Sequence, residues 1–460
     1  MQLNNIEQFI PLANAIKDAG GQFLFVGGCV RDAFLRLETK DYDAEVYGLT
    51  ENQLLPLLES FGEVYFVGQS FGVFKIKGLN LDISLPRSET KTGLGHRGFH
   101  IQTDPYTTFK EAAKRRDFTI NSIGFDPLTN TVLDPYQGVQ DIKEKRLQAT
   151  SAETFGEDPL RALRAAQFAA RFEMTPTPAL CTLLSKQNLD ELPGERTQIE
   201  LQKLLTKSRS PSVGFELLKK TNLIRFFPEI EALQGVAQNP YWHPEGDVWI
   251  HTMMVIDYAA KHRPQNDRDY LLMLAALCHD FGKPLSTITL DDGRVTAKGH
   301  EDSGVPPAIN FLERLKIPKT MQKQIALLIQ YHLKPHYFGD DTVPPEDIYY
   351  LARALYDVHL TITDLAWLGR VDAMGRTTEE AQKNICPSVD AFLEKCHTLK
   401  ATDPHYLADR VTGAMLLTHG YQPGPHFTEM LNKARDIQYR YQLNDPEQII
   451  ATLKAEYPIF

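Results

Sequence analysis

What the chain lacks narrows its class first. No apolar run approaches the roughly 18 residues a bilayer-spanning helix needs; the best, Tyr270 to Cys278, is about half that. The opening MQLNNIEQFI has no basic stretch ahead of an apolar one, so no signal peptide is expected. Only five cysteines are present (Cys29, Cys181, Cys278, Cys386, Cys396), scattered, odd in number and without a CxxC. Reduced thiols and a cytoplasmic setting are the simplest expectation. Positive charge is also short: 49 Lys+Arg against 59 Asp+Glu leave a net −10, which excludes a general basic coat for nucleic acid but not local patches. There is no GxxxxGK[ST], which disfavours a P-loop ATPase, and no tandem repeat or low-complexity tract. What is present, 42% hydrophobic and 10% aromatic residues over 460 positions, excludes a disordered or collagen-like chain. Length alone suggests about three domains.

The first 150 or so residues mix strand and helix signals. A helix is expected over 6–19, a short strand FLFV before Gly27-Gly28, a second helix over 30–37, then strands at 41–47, 64–67, 73–76, 79–85 and 131–133. From Glu157 onward the period is helical almost throughout, broken near prolines at 175–178, 211, 228, 240–244, 305–307 and 387. The expected class is α+β: a small N-terminal head with a β-sheet and flanking helices, followed by a predominantly α-helical body.

In the head, Asp41 and Asp43 stand two apart on a strand and so share a face. Two carboxylates together need a cation, and Mg²⁺ prefers a few carboxylates plus substrate phosphates. A DxD alone is also what a polar strand end looks like. Here it follows Gly27-Gly28-Cys29-Val30-Arg31-Asp32, a strand, glycine turn and helix start that can approach a phosphate. Asp82 offers a third carboxylate, and Arg115-Arg116-Asp117 a paired cationic site. Together these suit metal-assisted nucleotidyl transfer. Gly93-x-Gly95-x-x-Gly98 imitates a dinucleotide fingerprint, but no βα unit precedes it and Arg87, Lys91 and Arg97 flank it, so a flexible basic loop is expected instead.

Asp158 and Arg161 stand one helical turn apart, the spacing of a simple surface ion pair and equally of two groups that could meet a base edge. An Asp accepts from an exocyclic amine while an Arg donates to ring acceptors, a match for cytosine and adenine but not for uracil and guanine. In the body, His251 lies in an apolar-periodic helix (248–260) and the adjacent His279-Asp280 closes another (271–279), so three ligands can address one ion. His plus carboxylate suits a divalent transition metal such as Mn²⁺, Ni²⁺, Fe²⁺ or Zn²⁺.

GGCVRD, KDYDAEVYG, RRDFTINSIGFD, DPYQGVQDI and EDPLRALRAAQFAARF, in this order over about residues 23 to 200, resemble the class II nucleotidyltransferases, which include the CCA-adding tRNA nucleotidyltransferases and bacterial poly(A) polymerases. Beyond 230, HPEGDVWIHT, ALCHDFGKP, KGHEDSG and TGAMLLTHGYQPGP resemble the bacterial CCA-adding enzymes that carry an HD phosphohydrolase domain. The resemblance implies Mg²⁺ on Asp41 and Asp43. It implies nucleotide contacts from Gly28, Arg31, Arg115, Arg116, Asp158, Arg161 and Arg164. It also implies an HD metal set of His251, His279, Asp280 and Asp372, with His300 and His332 needed only if two ions bind. The remaining histidines, His243 and His336 among them, are read as mostly structural or solvated. Gln167 stands where relatives commonly continue the arginine ladder, so a triphosphate contact from that step is unsupported. The long segment between Leu85 and Lys114 corresponds to a loop associated with the switch to the terminal A, which disfavours an enzyme that stops at CC.

The implied division is a nucleotidyltransferase head (1–150), a helical nucleotide- and RNA-binding neck (151–235), an HD domain (236–380) and a helical tail (381–460). The implied partners are tRNA, CTP and ATP, with no membrane; monomer and homodimer both stay open. Poly(A) or A-only addition remains an alternative on the head motifs, as does an RNA-end phosphohydrolase with a non-catalytic head. The HD set implies hydrolysis of phosphomonoesters or 2′,3′-cyclic phosphodiesters. Basic residues gather at 83–122 and 196–220, two strips that could hold one RNA arm.

Overall fold

The computed structural model describes residues 3–39, 41–67, 72–91 and 99–457. The chain divides into two compact units: one runs to Leu204 and includes Val213–Phe226, the other comprises Leu205–Ser212 and everything from Phe227.

The first unit opens with α1 (Ile10–Asp18), β1 (Gln22–Val26), α2 (Gly28–Phe34), β2 (Tyr42–Tyr47), α3 (Glu51–Glu59), β3 (Val64–Val67), β4 (Val73–Ile76) and β5 (Leu81–Ser84). A hairpin of β6 (Arg87–Lys91) and β7 (Phe99–Thr103), α4 (Phe109–Lys114), β8 (Gly124–Asp126), β9 (Thr131–Leu133) and α5 (Gly138–Lys143) follow. Seven strands form one sheet in the order β3-β4-β5-β2-β1-β8-β9, mixed because β2 and β5 run parallel while the other neighbours are antiparallel. Period-2 burial is clear on β2, where Tyr42, Ala44 and Val46 are buried and Asp43 is open. Central β1 buries Phe23 through Val26 on both faces.

Two differences from the sequence expectation stand out. β8 was not expected: its Gly-Phe-Asp is too short to show alternation, and it is a strand because it pairs with both β1 and β9. Where a loop was expected after Leu85, the backbone forms the β6–β7 hairpin, with Arg87 opposite Thr103. The Gly93–Gly98 stretch with Arg97 lies outside the described residues.

The helices α6 (Leu160–Arg171), α7 (Pro178–Leu184), α8 (Gly194–Lys207) and α9 (Ser212–Lys220) come next. The second unit contains α10 (Pro228–Glu231), α11 (Val248–Lys261), α12 (Asp269–Cys278), α13 (Lys283–Ser286), α14 (His300–Ser303), α15 (Val305–Arg314), α16 (Lys319–Tyr331), α17 (Pro345–Asp357) and α18 (Ile362–Met374), then further helices up to Glu456. Tyr270 to Cys278, the best apolar run, is buried at every position in α12, so its uniform hydrophobicity reflects a core helix. No described helix is long and apolar enough to cross a membrane. All five cysteines are free thiols. Residues near the C-terminus hold a small core of their own, built on Leu416, Ile437, Ile450 and Leu453.

Candidate functional site

In the head, β1 pairs antiparallel with β2, Phe25 opposite Ala44, which sets the glycine turn after β1 against the start of β2. Gly27 takes φ +70°, a conformation that favours glycine, and a Cβ there would come 3.0 Å from Arg116 Nη1. Parallel register then places Asp43 beside Asp82. Asp41, Asp43 and Asp82 line a cleft of about 530 Å³ together with Tyr65, Lys75 and Asn80. Lys75 Nζ lies 2.7 Å from Asp82. Desolvation by the surrounding protein, then the charge of Asp82, push Asp43 up to about 6 despite the pull of Arg116. Crowded carboxylates of this kind fit a hard divalent cation that would relieve them.

The arginines of the other motifs converge on one network. Arg31 Nη1 donates to Asn121 Oδ1 at 2.7 Å, its Nε donates to Asp32, and its guanidinium lies over the rings of Phe168 in α6 and of Phe172 just after it. Arg116 donates to Asn121 O at 3.0 Å and to Glu45 at 2.8 Å. Arg164 Nε donates to Asp117 Oδ2 at 2.6 Å, and Asp117 also accepts from Asn121. Burial alone would raise Glu45 and Asp117; Arg116 and Arg164 respectively hold them below the usual carboxylate range instead. The RRDFTIN segment is thus the knot that ties Arg31, Arg116 and Arg164 together. The DPYQGVQDI segment is its buttress. Asp134 accepts from the first two amides of α5, and a Cβ on Gly138 would lie 2.1 Å from Thr119 O, so only glycine lets α5 dock there.

The expected face-sharing of Asp158 and Arg161 is corrected. Asp158 is extended (φ −126°, ψ 109°) ahead of Pro159, so it is not on the helix at all. Its carboxylate accepts from Leu160 N and, in two-pronged fashion, from Arg196 at 2.7 and 3.2 Å. Arg161 instead donates to Thr154 O at 2.5 Å and Arg115 O at 2.6 Å. Gln167 is fully buried in α6, its amide atoms without a hydrogen-bond partner.

In the second unit, His251 on α11, His279 and Asp280 after α12, His300 at the start of α14, His332 after α16 and Asp372 on α18 meet in one buried cluster. His279, His300 and His332 each donate from Nδ1 to the carbonyl three residues earlier, at 2.8, 2.8 and 2.6 Å. His251 donates from Nδ1 to Glu245 at 2.9 Å. These bonds turn all four Nε2 atoms inward as lone-pair donors.

The donors fall into two triads, His251–His279–Asp372 and Asp280–His300–His332, each with ligand atoms within 4.8 Å of one another. Asp280 joins them, with Oδ2 3.2 Å from His279 Nε2 and Oδ1 3.3 Å from His300 Nε2. Both its oxygens are buried and accept no well-formed hydrogen bond, although Lys283 lies 2.8 Å away. Burial and the neighbouring imidazoles lower His332 to about 3, keeping it in the neutral form a metal requires. A buried carboxylate that bridges two triads, with four oriented imidazoles, fits one or two divalent transition ions.

Sequence reasoning missed several contributors. Glu245, which orients His251, and His243, which shares Glu245 Oε1 at 2.9 Å, sit in an aperiodic turn. His336 lies 3.7 Å from Asp372, and Arg376 pairs with that carboxylate at 3.1 Å. Glu245 and His243 stand inside the HPEGD string, the one signal that could have found them.

Three family models match the chain: the Poly A polymerase head domain at residues 23–148, the "Probable RNA and SrmB- binding site of polymerase A" at 179–234, and the HD domain at 248–358. The "Multifunctional CCA protein" of Stenotrophomonas maltophilia (strain K279a) is 37% identical over 373 residues, covering 79% of this chain and 84% of that protein. Its counterpart from strain R551-3 is 36% identical over the same extent. The crystal structure of the Bacillus stearothermophilus CCA-adding enzyme in complex with CTP superposes with a TM-score of 0.68 at 19% identity, over 99% of this chain and 98% of that one. The Thermotoga maritima CCA-adding enzyme complexed with tRNA gives 0.61 at 17% identity over 99% and 96%. At these identities the structural matches speak to the fold. The sequence match to the multifunctional CCA proteins goes further: the chain is a nucleotidyltransferase and belongs to the CCA-adding enzymes that carry an HD domain.

Proposed function

We propose that the protein adds or repairs the 3′-terminal CCA of tRNA, transferring CMP and AMP from CTP and ATP without a nucleic-acid template. The observation that carries this reading is the Asp41–Asp43–Asp82 cleft set against the Gly27 turn and the arginine knot. Mg²⁺ bound by Asp41 and Asp43 would neutralise triphosphate charge there. The RNA 3′-oxygen attacks the α-phosphorus, the bond to the pyrophosphate oxygen breaks, and pyrophosphate leaves. Gly28, Arg31, Arg115, Arg116 and Arg164 hold the triphosphate, while Asp158 and Arg161 present an acceptor and donors to the base edge. Asp158 is fixed for this by Arg196. The test is incubation of the protein with tRNA lacking its CCA, labelled CTP and labelled ATP. Ordered incorporation of two C and one A is expected, and none with Asp41→Ala. Incorporation of A alone, or of long A tracts, would assign the chain to the poly(A) or A-only branch instead.

A second reading concerns the buried His–Asp cluster, which we read as a metal-dependent phosphohydrolase of phosphomonoesters or 2′,3′-cyclic phosphates. Its support is the buried Asp280 carboxylate standing between the Nε2 atoms of His279 and His300, whose Nδ1 atoms are held by backbone carbonyls. His251, His279, Asp280 and Asp372, with His300 and His332, would hold ions such as Ni²⁺ or Mn²⁺ that activate water by Lewis acidity. Water adds to phosphorus, one ribose P–O bond breaks, and the released hydroxyl takes the proton. Hydrolysis of 2′,3′-cyclic AMP that persists in excess chelator would sink this reading.

A further inference from the structure

The turn that leads into α11 carries two exposed aromatic rings. Tyr241 is 76% and Trp242 57% exposed, and their rings meet edge to face with centroids 4.7 Å apart. Leaving an indole and a phenol in water forgoes burial of large apolar surface, and rings presented in this way mark contact sites. The turn itself is rigidly built. Asn239 accepts from Trp242 N and His243 N through its carbonyl and from Tyr241 N through its side chain, and Gln238 donates to Gly246 O at 3.2 Å to close the loop.

Both shoulders of this turn are fastened to the His–Asp cluster. Upstream, Gln238 Oε1 accepts from Lys283 Nζ at 2.7 Å, and Lys283 pairs with Asp280 at 2.8 Å. Downstream, His243 shares Glu245 Oε1 with His251. The exposed rings therefore stand on a turn fastened to the cluster at both ends, through Lys283 on one side and Glu245 on the other.

We propose that Tyr241 and Trp242 form a stacking platform for the base of a substrate whose phosphate is handled at the Asp280 cluster. The substrate class is a phosphate ester carried on a nucleoside, a nucleotide or RNA end, with Lys283 the cation paired with Asp280. The proposal rests on the phosphohydrolase reading above. A site that handled bare phosphate esters would gain nothing from the rings. Stacking tolerates any base because every base has a π-face, which suits RNA ends of varied sequence.

The test compares 2′-AMP with glycerol 2-phosphate, two phosphomonoesters with and without a base, on the metal-loaded full-length protein. Stacking contributions of this kind correspond to roughly ten- to a hundredfold in affinity. Trp242→Ala is expected to lower the ratio of kcat/KM for 2′-AMP over glycerol 2-phosphate at least tenfold through KM, and Trp242→Phe to restore most of it. Separately, 2′-AMP is expected to quench the tryptophan fluorescence of chelator-treated protein, a signal inorganic phosphate does not give and Trp242→Phe loses. Equal loss on both substrates, or no quench, overturns the platform, as does a Trp242→Ala effect confined to self-association in sedimentation. If the wild type hydrolyses neither substrate, the phosphohydrolase reading fails, and the quench alone decides the platform.

Discussion

Replacing Asp43 by asparagine keeps the shape of the side chain and removes its part in the repulsion with Asp82 and Asp41. Solvent in the open cleft screens that repulsion, so the metal-free protein should gain only about 1 kcal/mol, a rise of about 2 °C in the first unit's melting temperature. Nucleotide transfer should be lost at the same time; calorimetry beside a labelled-CTP assay checks both. Arg196→Ala tests the correction at Asp158. Freed from its two-pronged partner, the carboxylate can rotate, so the KM values for CTP and ATP are expected to rise about tenfold and discrimination against UTP and GTP to fall, since one charged hydrogen bond accounts for about 1.5–3 kcal/mol. Unchanged selectivity would remove Asp158 from base reading. These residues also mark the limit of what the chain reveals by itself. Asp41 and Asp43 were legible because strand period is 2 and their spacing is 2. Arg196 was not: nothing local ties it to Asp158, 38 residues away, and Pro159 starts the helix after Asp158, leaving Asp158 extended while Arg161 is helical.

Helix ends are the elements that matter in the second unit. A helix leaves its last carbonyls without amide partners. His279 and His332, at the ends of α12 and α16, each give Nδ1–H to a carbonyl of the last turn and so fix their Nε2 atoms inward. The expectation that His279-Asp280 closes a helix was therefore legible from periodicity, whereas Glu245 and His336, outside any periodic run, were not. The close approach behind Asp280 depends on Gly282: a Cβ there would lie 2.0 Å from His300 O and 2.6 Å from Gly304 N. Gly282→Ala should cost about 2–4 kcal/mol and draw His300 away from Asp280, visible as a lower melting temperature and weaker metal uptake. His332→Ala should leave the fold intact and reduce the bound ion count from two to one, as measured by elemental analysis; an unchanged count would favour a mononuclear centre.

For the whole molecule, the proposed nucleotide transfer and phosphate hydrolysis draw on separate residues. His279→Ala should abolish hydrolysis of cyclic phosphate while CMP and AMP transfer under Mg²⁺ persists; loss of both would show that the two activities are coupled. The net charge of −10 fits the same picture. Part of the basic strip at 83–122 turns inward, since Arg116 pairs with Glu45 and Asn121. What is left to meet RNA is smaller than the sequence suggests, so tRNA binding is expected to weaken steeply with salt, with few phosphates neutralised.

Asp43 has a further consequence for anyone engineering this protein. Its carboxylate is held where the apo fold would be more comfortable without the charge. A screen for heat-resistant variants run without metal will collect neutral substitutions there and reward inactive proteins, so thermostability here must be selected with cation and nucleotide present.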